Sequence, residues 1–320
     1  MNDAIASGSV GVLLPRDLPA ARVPEFVRGA EELGFDELWV VEDLRYRGGI
    51  AQAAAALAIT SRITVGIGIL PVGARNAAFA AMEVATIAEL FPGRLVAGVG
   101  HGMPGWMRSL DAWPDSPLTL LEEYVTMLRA LLRGERVDVD GRYVKAADMS
   151  LAHPVADVPP VLVGVRGPRS LALAGRVADG TVLAEPAAPE YIRTAVEQIA
   201  ATRPHRVVTY DVAAVDDDPA LARAAARAAL TWLGEPDSAP HVRPLPFADE
   251  LTALRARSAD PHAFAAALPD AWVDRLAVVG TPPDVRAAVA VRHEAGATTV
   301  VLIPVGADPT AALGSLAQAL

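Results

Sequence analysis

The residues best suited to chemistry fall in three short stretches, each closing or following an apolar run. Glu42 and Asp43 follow the run at 37–41. Two adjacent carboxyls can trade a proton with a ligand or accept its hydrogen bond, or else pair with Arg45 or Arg47 at a rim. Adjacent strand residues point to opposite faces, so only one of the two faces a site. His101 sits within Gly98-Val99-Gly100-His101-Gly102. An imidazole titrates near neutral pH, which suits acid–base work, although a hydrogen-bonded loop histidine has the same local sequence. The third stretch is Gly164-Val165-Arg166-Gly167-Pro168-Arg169-Ser170. Its glycines admit a ligand to the backbone, and its proline opens a helix whose N–H groups and dipole suit a phosphate. Arg166 or Arg169 can add charge-assisted bonds. A glycine turn with surface arginines fits the same residues.

Other chemistries lose support from the 320-residue sequence. It has no cysteine, so thiolate nucleophiles, zinc-thiolate sites and iron–sulfur clusters drop out. The six histidines are scattered and form no metal-ligand spacing. No Gly-x-Ser-x-Gly elbow or Walker sequence occurs. Lys145 is the single lysine, in a hairpin-like stretch, which disfavours Schiff-base chemistry. A chain so poor in nucleophiles and metal ligands is one that borrows an organic cofactor. A net charge of −10 and 5% aromatic residues argue against a nucleic-acid surface. No apolar run reaches the roughly 18 residues of a membrane span. Residues 1–9 carry Asp3 and no basic residue, unlike a secretory signal, so the expected location is cytoplasmic.

The elements that must hold these residues alternate between two periods. Short apolar runs at 10–14, 37–41, 63–70, 95–99, 161–163, 181–183, 206–215 and 299–303 read as strands. Helical spacing separates them, as at Val23, Phe26, Val27, Ala30 and Leu33, stopped by Gly34. Thr281, Pro282 and Gly296 bracket a later helix. Strands this short and apolar, divided by helices, form a parallel sheet buried on both faces. Eight of them in one chain predict a (β/α)8 TIM barrel, written here as one domain spanning 1–320. Two intervals exceed a simple unit and predict insertions after strands 4 and 7, at about 100–160 and 216–280. The first holds a helix begun by Ser116-Pro117, then a hairpin-like 137–144 turning at Asp140-Gly141. A doubly wound open sheet is the alternative, disfavoured because the first turn lacks a phosphate fingerprint.

Read in order, several stretches resemble the luciferase-like flavin- and deazaflavin-dependent oxidoreductases. They are LGFDELWVVE at 33–42, ITVGIGILP at 63–71, FPGRLVAGVGHG at 91–102, GPRS at 167–170 through AGRVADG at 174–180, and EAGA at 294–297. Each is weak alone, and their order and spacing carry the likeness. The deazaflavin branch is most similar, a branch that includes methylenetetrahydromethanopterin reductases and sugar-phosphate and alcohol dehydrogenases.

The resemblance implies a usually dimeric barrel with a flavin or deazaflavin at the C-terminal mouth. It also implies a non-prolyl cis peptide in the third strand, at Gly68-Ile69. Carried over residue by residue, Gly68, Ile69, Leu70 and Pro71 line the ring. Gly100, His101 and Gly102 border the tail or substrate, and Gly164, Val165, Arg166 and Gly167 hold the phosphate. Asp43 stands where several dehydrogenases have an active-site histidine, and Met103 where sugar-phosphate dehydrogenases have a glutamate. These departures count against sugar-phosphate or simple alcohol dehydrogenation and leave reductase or monooxygenase chemistry. The implied function is hydride transfer between coenzyme F-420 and a small organic substrate. Glu42 or Asp43 would manage a proton, and His101 would orient cofactor or substrate. The alternatives are an FMN-dependent luciferase-type monooxygenase and a catalytically silent flavin-binding barrel. The expected partners are a small molecule and a second copy of the chain, with no nucleic acid and no membrane.

Overall fold

The computed structural model describes residues 8–320. The reading of the first nine residues therefore lies largely outside the described residues. Strands β1 (Ser9–Leu13), β2 (Glu37–Val40), β3 (Thr64–Pro71), β4 (Leu95–Gly100), β5 (Val161–Gly164), β6 (Gly180–Leu183), β7 (Arg206–Val215) and β8 (Thr299–Pro304) pair in parallel, each with the next. Pairing of β8 with β1, from Ser9 opposite Thr299, closes the ring. The barrel is the expected one, and the open-sheet alternative is excluded by that closure. These strands read as near-continuous apolar runs because both faces are covered; β2 and β4 are buried at every residue.

Each ring strand leads to a helix on the outside: α1 (Val23–Glu32), α2 (Gly49–Ala58), α3 (Ala77–Leu90), α4 (Pro117–Leu132), α5 (Pro168–Val177), α6 (Pro189–Ile199), α7 (Pro282–Glu294) and α8 (Pro309–Ala317). Local chemistry sets their ends. The Asn76 side chain accepts from the Ala78 amide at 2.8 Å and starts α3. Thr281 and Asp284 form a capping box on α7. Gly34, at φ +96°, follows α1 in the left-handed region, as its position in the sequence predicted.

Three apolar cores result. The largest lies between the strands and the outer helices. A second fills the barrel interior with Leu13, Trp39, Val96, Leu162, Val182, Val208, Tyr210 and Val301. Its lower end is polar: Glu37 accepts from Trp39 Nε1 at 2.8 Å and pairs with Arg206 at 2.6 Å. The third belongs to the insertion after β7, where Leu230, Leu233, Leu251, Phe264 and Leu276 pack on the end of β7.

The insertions differ in detail from their expected outlines. The interval 100–160 contains the barrel helix α4 itself, flanked by a short helix Pro104–Ser109 and a hairpin. That hairpin pairs Val137–Asp140 with Lys145–Met149. Its turn spans 141–144, closed by the Gly141 amide on the Val144 carbonyl at 3.0 Å, so the second strand starts later than predicted. The interval 216–280 holds several helices and ends in a ninth strand of the sheet, Val278–Gly280. This strand pairs with the C-terminal part of β7 outside the ring.

Candidate functional site

The C-terminal ends of the strands form the mouth, where a barrel places its chemistry. One irregularity shapes it. β3 departs from regular register between Ile67 and Leu70, and the Gly68-Ile69 peptide is cis, as the resemblance implied. Below the bulge, Gly66 and Gly68 face the interior. A Cβ on Gly66 would lie 2.4 Å from the Trp39 ring, and one on Gly68 would lie 1.8 Å from the Tyr210 hydroxyl. These glycines therefore make room for two aromatic side chains, which meet edge to face at 5.7 Å.

Three other glycines lie beside the bulge. A Cβ on Gly164 would lie 2.6 Å from the Ile69 side chain, whereas one on Gly98 would first meet the Ile67 carbonyl at 2.2 Å and one on Gly100 the Gly164 carbonyl at 2.6 Å, with Ile69 at 3.2 Å from both. Gly164, read from sequence as a place for a ligand, is thus shaped by Ile69, and Gly100 by the Gly164 backbone first and Ile69 second. Two further positions expected at the cofactor turn away from the mouth. Leu70 and Val165 are both buried in the core between strands and helices. Pro71 and Gly102 stay at the mouth beside one another, with Gly102 at φ +72°.

β2 ends at Val40, so Glu42 and Asp43 lie in the loop beyond it, not on the strand as expected, and their partners rather than strand alternation divide them. Glu42 accepts from the Gly49 amide at the start of α2 at 2.8 Å and meets Arg75 at 2.9 Å. It binds the second and third barrel units together and caps a helix with its charge. Asp43 pairs with Arg16, which follows β1 and lies 4.9 Å above the Tyr46 ring. Asp43 also acts electrostatically on Tyr210 and Glu185, which come from β7 and the end of β6.

His101 and the loop after β5 come together. His101 Nε2 lies 3.2 Å from Ser170 Oγ at the start of α5, and its ring is 6.2 Å from Trp113. Burial pulls its pKa down to about 4, so at neutral pH it presents a neutral imidazole. No side chain caps the N-terminus of α5, and a Cβ on Gly167 would meet open space. Arg166 bonds the Asp237 carbonyl at 3.0 Å and approaches Met103 Sδ at 3.4 Å, with no carboxylate partner among the described residues. This donor set suits an anionic group: free helix N–H groups, a glycine that leaves space, and an arginine whose charge is not neutralised. The insertion closes over this corner through Asp237 and through His241, whose Nδ1 lies 3.2 Å from the Pro186 carbonyl.

Two mouth residues were not singled out from sequence, Glu185 and Tyr210. Glu185 sits two residues beyond β6, so the rule that selected the other strand ends applies to it equally. Tyr210 could be found from the alternation of Val208 and Tyr210 along β7. Among the described residues no cluster of side chains could hold a metal ion, and no helix is long and apolar enough to cross a membrane.

Comparison with known proteins bears on this arrangement. The model of the luciferase-like monooxygenase family matches residues 6–299. The chain belongs to that family. It is 28% identical over 314 residues to a 5,10-methylenetetrahydromethanopterin reductase of Methanolobus tindarius, covering 94% of this chain and 95% of the relative. It is 38% identical over 181 residues to an F420-dependent glucose-6-phosphate dehydrogenase of Beutenbergia cavernae, covering 52% of each chain. Among solved structures, the coenzyme F420-dependent tetrahydromethanopterin reductase of Methanopyrus kandleri superposes with a TM-score of 0.83 at 22% identity. That match covers 98% of this chain and 99% of the other, and at this identity it speaks for the fold.

Proposed function

We propose that this protein is an oxidoreductase that passes a hydride between coenzyme F-420 and a small organic substrate at the barrel mouth. The observation that carries the reading is the full-length similarity to a methylenetetrahydromethanopterin reductase. The open, uncapped start of α5 beside Arg166 supports it, because the coenzyme is anionic. In this reading Arg166 and Gly167 hold the anionic tail, while Ile69, Pro71 and Gly102 border the ring and Gly68 packs behind it on Tyr210. When bound, the deazaflavin supplies a two-electron hydride. His101, kept neutral by burial, orients ligand or coenzyme from beside Ser170. Asp43 faces the substrate space, and Glu42 keeps the wall behind it in place. The chain acts as one barrel domain whose 216–280 insertion covers part of the mouth.

Titration with coenzyme F-420 and with FMN, followed by fluorescence quenching, tests this. Micromolar binding of F-420 with weaker FMN binding is expected. Preference for FMN would turn the reading toward a luciferase-type monooxygenase, and binding of neither would leave a catalytically silent barrel.

The proposal includes a homodimer in the cytoplasm. Phe79, Met82 and Leu90 are 65%, 49% and 66% exposed on one stripe of α3, an apolar face that a second copy would cover. Analytical ultracentrifugation of the wild type and of Phe79→Glu checks the dimer, and cell fractionation checks the location.

A further inference from the structure

We propose that His241 is a positioning residue for the anionic corner: it anchors the turn whose Asp237 carbonyl aims the Arg166 guanidinium. This rests on the reading in which Arg166 holds the anionic tail of the coenzyme, and it gives the means by which that arginine is kept ready. Four other arginines of the barrel are held by carboxylates. Arg206 pairs with Glu37, Arg75 with Glu42, Arg16 with Asp43, and Arg292 with Asp211. Arg166 is held by neutral acceptors instead. Its Nη1 donates to the Asp237 carbonyl at 3.0 Å, and its Nη2 lies 3.4 Å from Met103 Sδ. A guanidinium has five N–H donors, so an arginine gripped in this way keeps its charge and spare donors for an incoming anion. Its backbone is held too, since the Tyr191 hydroxyl of α6 donates to the Arg166 carbonyl at 3.4 Å.

Asp237 belongs to the insertion, so its carbonyl meets Arg166 only while the turn around it is fastened. Pro236–Ser238 forms a single 3-10 turn, and the four-residue helix Ala239–Val242 follows directly. Ser238 locks the turn from within. Its Oγ accepts from the Gly234 amide at 2.9 Å and donates to the Glu235 carbonyl at 2.7 Å. His241 fastens the turn to the barrel. Its Nδ1 lies 3.2 Å from the Pro186 carbonyl beyond β6, and because a carbonyl only accepts, that nitrogen carries the proton. Its ring packs at 4.5 Å on Tyr191, the same residue that holds the Arg166 backbone, and meets the Trp232 ring edge to face at 5.9 Å. His241, Ser238 and Tyr191 are all buried.

Both ends of Arg166 are thus referred to one buried histidine, the backbone through Tyr191 and the guanidinium through the Asp237 turn. The residue type fits this role. Nε2 of His241 is buried without a hydrogen-bond partner among the described residues, a cost that an apolar side chain in the same space would not carry. What the imidazole adds over a leucine is the Nδ1 bond to Pro186.

Two measurements test the proposal. Fluorescence quenching gives the affinity for coenzyme F-420 and for its deazaflavin riboside, which lacks the anionic tail. An arginine that must be immobilised during binding costs about 3–10-fold in affinity. His241→Leu should lose that much for F-420 and nothing for the riboside. His241→Asn, whose amide nitrogen can stand where Nδ1 does, should recover most of the loss. In an Arg166→Ala background, His241→Leu should cost nothing further. An unchanged F-420 affinity, an equal loss for the riboside, no recovery with asparagine, or a full loss without Arg166 each overturns the proposal. The second measurement is nitrogen-15 NMR of arginine Nε–H groups in the cofactor-free protein, with the Arg166 signal assigned by its loss in Arg166→Ala. That group should be rigid in the wild type and mobile in His241→Leu; equal mobility overturns the proposal. Should His241→Leu not fold, Ser238→Ala, which loosens the same turn from within, takes its place in both measurements. Failure of the wild type to bind F-420 overturns the function reading instead, while the NMR measurement still decides whether His241 holds Arg166.

Discussion

Adding one methyl group at Gly68 tests the packing that supports the mouth. A Cβ there would lie 1.8 Å from the Tyr210 hydroxyl, 2.9 Å from its Cζ and 3.1 Å from the Trp39 ring. Ordinary contact needs roughly an ångström or more beyond the first of these distances. Tyr210 has little freedom to retreat, since it is 4% exposed and Trp39 beside it is 0% exposed. Leu162, Val182, Val208 and Val301 fill the remaining interior. Overpacking a core of this kind costs about 1–3 kcal/mol, and the closeness of the clash places Gly68→Ala near the upper end. Tyr210→Phe alone removes a long contact of 3.5 Å to the Gly68 carbonyl and should cost about 1 kcal/mol or less. Combined, the two substitutions relieve the shortest contact but leave the one at 2.9 Å. The methyl group should therefore cost about 1–2 kcal/mol less in the Tyr210→Phe background, a coupling within the usual range for touching residues. Urea unfolding followed by tryptophan fluorescence gives all four stabilities. Equal cost of Gly68→Ala in both backgrounds would refute the assignment of this glycine to the aromatic pair.

Three further outcomes follow from other parts of the structure. Arg292 and Asp211 form an ion pair at 2.7 Å with side chains 2% and 0% exposed. Arg292→Met leaves a buried charge without its partner and should lose about 3–5 kcal/mol in urea unfolding, whereas replacing both residues with leucine should recover most of it. Burial, with a smaller effect of the Arg166 charge, lowers the His241 pKa to about 3. The unfolded chain takes up that proton first, so stability is whole above about pH 6.5 and falls as pH drops toward 3; His241→Asn should flatten this part of the stability–pH curve. Arg166→Ala should weaken coenzyme F-420 binding about 10–100-fold, the worth of a charged hydrogen bond, as read by fluorescence quenching; unchanged affinity would remove Arg166 from the site.

The ring strands were legible because burial on both faces leaves no polar alternation, so each appears as a bare apolar run between helices. The strand Val278–Gly280 was not legible for a related reason. It is three residues long and carries no pattern of its own, and it exists because the end of β7 offers Ala213–Val215 as a partner. The helices before it were equally hard to outline. Their apolar residues face a separate core formed with Val212 and Ala214, so their spacing reports contacts far away in sequence.

At the site, reading Glu42 and Asp43 as the close of a strand puts them on opposite faces, but the strand ends at Val40 and alternation does not divide them. The choice is made by partners distant in sequence: Gly49 and Arg75 draw Glu42 into the wall, and Arg16 meets Asp43 at the opening. The glycines are ambiguous for a physical reason. A missing side chain looks the same in sequence whether the space goes to a ligand or to another residue. At Gly66 and Gly68 it goes to Trp39 and Tyr210, at Gly164 to Ile69 and at Gly100 to the Gly164 backbone; of the glycines expected at the cofactor, Gly167 is the one that faces open space. Glu185 shows the converse. Its residue type at a strand end was visible, yet what distinguishes it from the other four carboxylates is the lack of an arginine, and that is settled by where Arg206, Arg75, Arg16 and Arg292 are used. Composition favours such an outcome, since with one lysine nearly all basic pairing falls to arginines held by particular partners.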